Sequence, residues 1–117
     1  MKTITAILIM FLVTVTAWSQ DNKFGEIKIK TSSQCEMCKE RIEEALAFEK
    51  GIKDSDVDVE KQIVKVNYKK SKTSPEKIRK AISKVGYDAD DVKANPKAYG
   101  KLPACCKKPE DPDHEGH

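Results

Sequence analysis

At 117 residues the chain has room for one small domain with extensions. Charged residues make up 35% of it but nearly cancel, for a formal net charge of +3; no basic block with interleaved aromatics appears, which excludes a nucleic-acid footprint. No Ser/His/Asp set, phosphate-cradling glycine loop or acid–base pair is visible, and the only histidines, His114 and His117, stand near the C-terminus, so the sequence argues against an enzyme.

The first element is "MKTITAILIMFLVTVTAWSQ". Lys2 supplies a positive charge, Ile4 to Ala17 is apolar apart from threonines, and Ala17-Trp18-Ser19 offers small residues where a signal peptidase reads. The run falls short of the roughly 20 apolar residues of a membrane-spanning helix. Residues 1–19 are therefore expected to be a cleaved export signal, and the mature protein periplasmic or secreted.

"FGEIKIKT" then alternates, with Ile27 and Ile29 on one side and Glu26, Lys28 and Lys30 on the other, as a half-buried strand does. "SSQC" is a loop of helix-capping residue types. From Glu36 to about Glu49 the period becomes helical, with Cys38, Ile42, Ala45 and Leu46 on one face. Gly51 follows as a left-handed stop. "IKDSDVDVEKQIVKVNY" reads as a hairpin turning at Glu60 to Gln62, with Ser55, Val57 and Val59 sharing one face of its first strand and Val64, Val66 and Tyr68 one face of its second. Ser74-Pro75 opens a second helix as N-cap and first helical residue, and Ile78, Ala81, Ile82 and Val85 form its apolar stripe. Gly86 ends it, and Tyr87 to Val92 supplies a short edge strand.

The order β-α-β-β-α-β predicts an α+β fold, a ferredoxin-like βαββαβ sandwich with a four-stranded antiparallel sheet and both helices on one face, over residues 20–92. Residues 93–117 carry four of the five prolines and are expected to form a largely extended Pro/Lys-rich tail, with Ala98 to Leu102 docked.

Candidate chemistry sits at Cys35-x-x-Cys38. Cys35 ends the first loop and Cys38 lies in the first helical turn, so both sulfurs stand near the positive end of a helix dipole. Such a position favours the thiolate, which is the metal-binding and nucleophilic form. Two thiolates with no histidine or carboxylate cage suit a soft ion of low coordination number: Cu(I) by the preference of cysteine sulfur, and Hg(II) by the same softness, with Zn(II), Cd(II) and Ag(I) ranked behind. A closed structural zinc site needs four ligands, which two cysteines do not supply. Met37 lies between the cysteines and is expected to point elsewhere.

Here the chain resembles the heavy-metal-associated domain family, found in copper chaperones, copper-pump amino-terminal modules and the periplasmic mercury-binding protein. The resemblance runs from about Ile27 to Val92. It rests on Cys35-x-x-Cys38, the helix "CKERIEEAL", Gly51-Ile52, the alternation Val57-x-Val59 with Val64-x-Val66-x-Tyr68, and "SPEKIRKAISKVGYDA". It implies that Cys35 and Cys38 hold one Cu(I) or Hg(II) near the surface. It also implies that the ion passes by ligand exchange to a membrane metal transporter or another CxxC domain, with the metal-free protein a monomer. Tyr87 takes the place of a loop residue close to the metal. Ser33 replaces the family's buried methionine two residues before the first cysteine.

The tail adds Cys105 and Cys106, then His114 and His117. Adjacent cysteines have Cα atoms about 3.8 Å apart, below the usual disulfide range of about 4.4–6.8 Å, so a bond between them is strained. They are left to bind a metal with the loop, to pair with another chain, or to form disulfides with Cys35 and Cys38, any of which export permits. Two rival functions stay open: a thiol–disulfide oxidoreductase, since C-x-x-C at a helix start is also the thioredoxin arrangement, and a small disulfide-held adaptor domain.

Overall fold

The computed structural model describes residues 23–112. The expected export signal, residues 1–19, and His114 and His117 lie outside the described residues. Among the described residues no helix is long and apolar enough to cross a membrane.

The elements follow the chain as β1 (Phe24–Lys30), α1 (Glu36–Ala47), β2 (Ile52–Asp58), β3 (Ile63–Lys69), α2 (Pro75–Lys84) and α3 (Pro96–Gly100), with a single 3₁₀ turn at Ala104–Cys106. β3 lies between β1 and β2, antiparallel to both. The register places Ile29 and Val57 on either side of Val64, and Ile27 beside Val66. The alternation read from the sequence therefore becomes one apolar sheet face. Cys38, Ile42 and Leu46 of α1 and Ile78, Ala81 and Ile82 of α2 close over it and complete the core. Each fully buried Ile, Leu or Val contributes about 1.5–3 kcal/mol of apolar burial.

Local chemistry sets the boundaries. The Ser74 hydroxyl accepts from the Lys77 backbone N–H at 3.3 Å, with Pro75 in the first turn of α2. The β2–β3 turn contains no glycine; Gln62 itself takes the left-handed conformation at φ 56°. Its side chain stays tied, donating to the Ser33 carbonyl at 2.8 Å.

The expected fourth strand does not form. Residues 87–92 lie beside the end of β1 and contribute only isolated bridges, Thr31 with Ala89 and Ala89 with Val92. Two aspartates bend the segment away from a ladder. Asp90 is left-handed at φ 52°; its carboxylate accepts from the Lys30 N–H at 2.9 Å and pairs with Arg79 Nε at 2.9 Å. The Asp88 carboxylate accepts from the Ala94 N–H at 2.9 Å. Side chains satisfy backbone donors that a strand would have used.

Residues 93–112 of the tail are not extended either. Asn95 caps α3, its side chain accepting from the Ala98 N–H at 3.0 Å, with Pro96 at the first helical position. This is the device already seen at Ser74-Pro75. Gly86, at φ 101°, lies under α3; a Cβ there would stand 3.1 Å from the Ala98 carbonyl and the Tyr99 nitrogen. Beyond α3, Leu102 and Cys106 are buried in the core cluster. The Tyr99 hydroxyl donates to Asp111 at 2.7 Å and accepts from the Lys108 N–H at 3.0 Å, and Lys108 Nζ pairs with Asp88 at 2.7 Å. These contacts turn the chain back toward the first loop.

Candidate metal centre

The loop between β1 and α1 carries the first two sulfurs. Cys35 is the N-cap of α1 in an extended conformation, φ −155°, and its carbonyl accepts from the N–H groups of Cys38 and Lys39 at 3.0 and 3.1 Å. Its side chain makes no capping bond, which leaves the sulfur at the positive mouth of a 12-residue helix. The Sγ atoms of Cys35 and Cys38 are 3.4 Å apart. The two residues expected to share one ion are thus together. Met37 is 46% exposed, pointing away from the core in which Cys38 is buried.

The tail brings the other two sulfurs to the same place. Cys35 Sγ lies 3.3 Å from Cys105 Sγ and 3.6 Å from Cys106 Sγ, while Cys38 Sγ and Cys106 Sγ are 2.6 Å apart. All four cysteines are free thiols. Cys38 is 0% and Cys106 1% exposed, whereas Cys35 and Cys105 are partly accessible. The half-open surface pair implied by the family resemblance is therefore covered by the tail: Cys38 is buried, and Cys35 and Cys105 form the accessible rim.

The thiols differ electrostatically. Burial pushes Cys35 up, but the backbone N–H of Cys38 and the thiols of Cys105, Cys38 and Cys106 outweigh it and hold Cys35 below the ordinary thiol range. Hydrogen bonding to Cys35, then burial, pushes Cys105 up. Burial, then the contact with Cys38, pushes Cys106 up. Cys35 is the sulfur whose charged form the site favours, while Cys105 and Cys106 are pushed the other way.

Tyr87 closes the floor. It is fully buried, and its hydroxyl has no nitrogen or oxygen partner. Burial, then the sulfurs of Cys106 and Cys38, drives its pKa upward. A phenol O–H left without an oxygen acceptor beside sulfurs is a donor suited to thiolates, and it places Tyr87 where the resemblance expected it.

Ser33 is buried and its hydroxyl is also unpartnered. The loop is fixed by other means. Gln62 Nε2 donates to the Ser33 carbonyl, Gln34 Nε2 donates to the Ser32 carbonyl at 3.1 Å, and the Ser32 hydroxyl accepts from the Asp88 N–H at 2.9 Å. Polar ties to the β2–β3 turn and to the segment after α2 stand in for a methionine anchor. Sequence reasoning docked Ala98 to Leu102 and set Gln62 in a turn, but gave no site role to Gln62, Asp88, Lys108 or Tyr99. The Asn95-Pro96 cap, with Tyr99 and Leu102 spaced three apart behind it, was the available signal that the tail is built.

Fold and sulfur loop together define a small α+β domain that carries cysteines at a helix mouth, and comparison with known proteins agrees. The heavy-metal-associated domain model matches residues 34–88. The copper chaperone CopZ of Staphylococcus haemolyticus is 37% identical over 54 residues, covering 46% of this chain and 79% of that protein. Among solved structures, a CopZ metallochaperone superposes with a TM-score of 0.54 at 30% identity, covering 56% of this chain and 98% of its own. The mercury-bound form of MerP, the periplasmic protein of the bacterial mercury detoxification system, does so at 0.51 and 25% identity, covering 57% and 94%. The chain belongs to the heavy-metal-associated domain family.

Proposed function

We propose that this protein is an exported carrier of a soft metal ion, Cu(I) or Hg(II), rather than an enzyme, and that Cys35 and Cys38 are its ligands. The observation that carries the reading is the pair of sulfurs 3.4 Å apart at the N-terminus of α1, with Cys35 held toward the thiolate. Soft cations bind thiolates in preference to oxygen or nitrogen ligands. The accessible rim at Cys35 gives an incoming thiol a point of attack, so the ion moves by exchange of one sulfur at a time. The receiving partner is a membrane metal transporter or a second CxxC domain, and transfer takes place outside the cytoplasmic membrane after removal of residues 1–19. Copper is supported by the CopZ relatives and mercury by the likeness to MerP.

Native mass spectrometry of the reduced chain against Cu(I), Hg(II) and Zn(II), with a Cys35→Ser/Cys38→Ser variant alongside, tests this. The expected result is a 1:1 complex with Cu(I) or Hg(II) that survives a competing chelator in the parent and is lost in the variant. Retention of tight binding by the variant would remove the loop pair from the site. A second reading, thiol–disulfide exchange, is favoured by the 2.6 Å approach of Cys38 and Cys106; rapid catalytic turnover of a disulfide substrate without tight metal binding would select it instead.

A further inference from the structure

We propose that Cys105 and Cys106 are ligands of the same ion, so that the tail converts an open two-thiolate site into a closed site of four thiolates supplied by one chain. The proposal rests on the reading of Cys35 and Cys38 as metal ligands and adds the coordination number and the second ligand pair. The family match ends at residue 88, so nothing in it assigns the tail.

Four observations converge. The sulfurs of Cys35, Cys105 and Cys106 all lie within 4.8 Å of one another, and Cys38 Sγ joins them through Cys35 and Cys106. A tetrahedral thiolate site with metal–sulfur bonds of about 2.3 Å sets its sulfurs about 3.8 Å apart. The three contacts of Cys35, at 3.3, 3.4 and 3.6 Å, are within a few tenths of an ångström of that edge. The Cys38–Cys106 pair has to open by about 1 Å, and Cys38, which stands outside the group of sulfurs within 4.8 Å of one another, has to draw nearer to Cys105.

Second, the tail is positioned by contacts that have nothing to do with sulfur: the Asn95 cap, the seat of α3 on Gly86, the Tyr99 hydroxyl bonds and the Lys108–Asp88 pair. The cysteines are presented by a built segment. Third, the unpartnered Tyr87 hydroxyl faces the two buried sulfurs, Cys38 and Cys106, one from each pair. Once those sulfurs are metal-bound thiolates, that O–H has an acceptor on either pair. Fourth, burial of Cys38 and Cys106 removes water from one side of the site, which strengthens the attraction between cation and thiolates.

The ion enters as a cation, each ligating thiol gives its proton to solvent, and no electron is transferred. The occupant is a thiophilic cation that accepts three or four sulfurs. Because the second thiol pair is tethered, its effective concentration is high and it competes with any external acceptor. Release then requires the partner's cysteines to displace Cys105 and Cys106, so the tail is an internal guard on transfer.

The test uses Cd(II), a thiophilic ion with no redox chemistry in water. The reduced chain, with and without one equivalent of Cd(II), is treated with iodoacetamide, and the alkylated cysteines are mapped by mass spectrometry. The expected result is protection of Cys35 and Cys105, the accessible sulfur of each pair, in the 1:1 complex. Protection of Cys35 alone, with Cys105 reacting as in the metal-free chain, overturns this proposal and leaves the proposed function standing. Protection of neither overturns both. In parallel, a Cys105→Ser/Cys106→Ser variant is expected to bind Cd(II) through the loop pair about 10²-fold more weakly; an unchanged affinity overturns the guard. The protection experiment needs no variant, so a folding defect in the double substitution does not blunt it.

Discussion

At the scale of single residues, Cys35 and Tyr87 carry the site. Cys35 touches the other three sulfurs and is the one held toward the thiolate. Tyr87 is the largest fully buried side chain among the described residues, and its hydroxyl has no nitrogen or oxygen partner. Removing a buried polar atom that lacks a partner relieves a desolvation cost. Tyr87→Phe is therefore expected to leave the metal-free protein as stable as the parent or to stabilise it by up to about 1 kcal/mol. Tyr87→Ala leaves a cavity and is expected to cost about 3–5 kcal/mol. In the loaded protein the sign reverses for Phe: losing an O–H donor to thiolate sulfur weakens retention by about fivefold, near 1 kcal/mol. Denaturant titration of the metal-free proteins and chelator competition on the loaded ones separate the two effects. A metal-free Tyr87→Phe destabilised by about 2 kcal/mol or more would mean that the hydroxyl has a partner in the empty site.

At the scale of elements, the sequence was most legible where one signal decided the outcome. The alternation of β1 and β3 and the stripe on α2 reappear in the core, with Ile27 and Val85 partly buried against it, and the Ser74-Pro75 start needed no tertiary information. The segment 87–92 was misread because its aspartates act across space, on Lys30, Arg79, Ala94 and Lys108, which no local pattern encodes. Asp90 gives that misreading a measurable consequence. Burial raises its pKa, but the Lys30 N–H and the Arg79 guanidinium outweigh burial and hold it below the ordinary 3.8. A depressed carboxylate pKa adds stability that is fully present above the unfolded value and lost as pH falls through the folded one. Asp90→Asn should cost about 1 kcal/mol at pH 7, a modest figure for a partly exposed pair. Asn tolerates the left-handed backbone at this position, so the loss reports on charge. Repeating the denaturation curves at acid pH should show the two proteins converging below pH 3.8. A gap that persists unchanged into acid would assign it to shape instead.

At the scale of the whole molecule, the question is what closes the site. Cys35 and Cys38 could be picked out from spacing and local context. The docking of Cys105 and Cys106 could not, because it depends on how α3 sits on Gly86 and how Lys108 reaches Asp88. Those are pairings between segments that only a folded chain brings together. The arrangement predicts how many chains share one ion. With its tail in place, the chain supplies all four of its thiols to one centre and has no cysteine left to offer a second copy. A chain ending at Pro103 keeps the sheet and both long helices, loses only Cys106 from the core cluster, and exposes a two-thiol half-site. Two such half-sites can complete one four-sulfur centre between them. Loaded with half an equivalent of Cd(II), the shortened chain is expected to form a metal-bridged dimer, and the parent to stay a monomer at the same concentration. Native mass spectrometry and light scattering read the difference, and excess chelator should return the dimer to monomer. If both proteins stay monomers with and without Cd(II), the tail is not what saturates the ion, and the four-sulfur centre is lost with it.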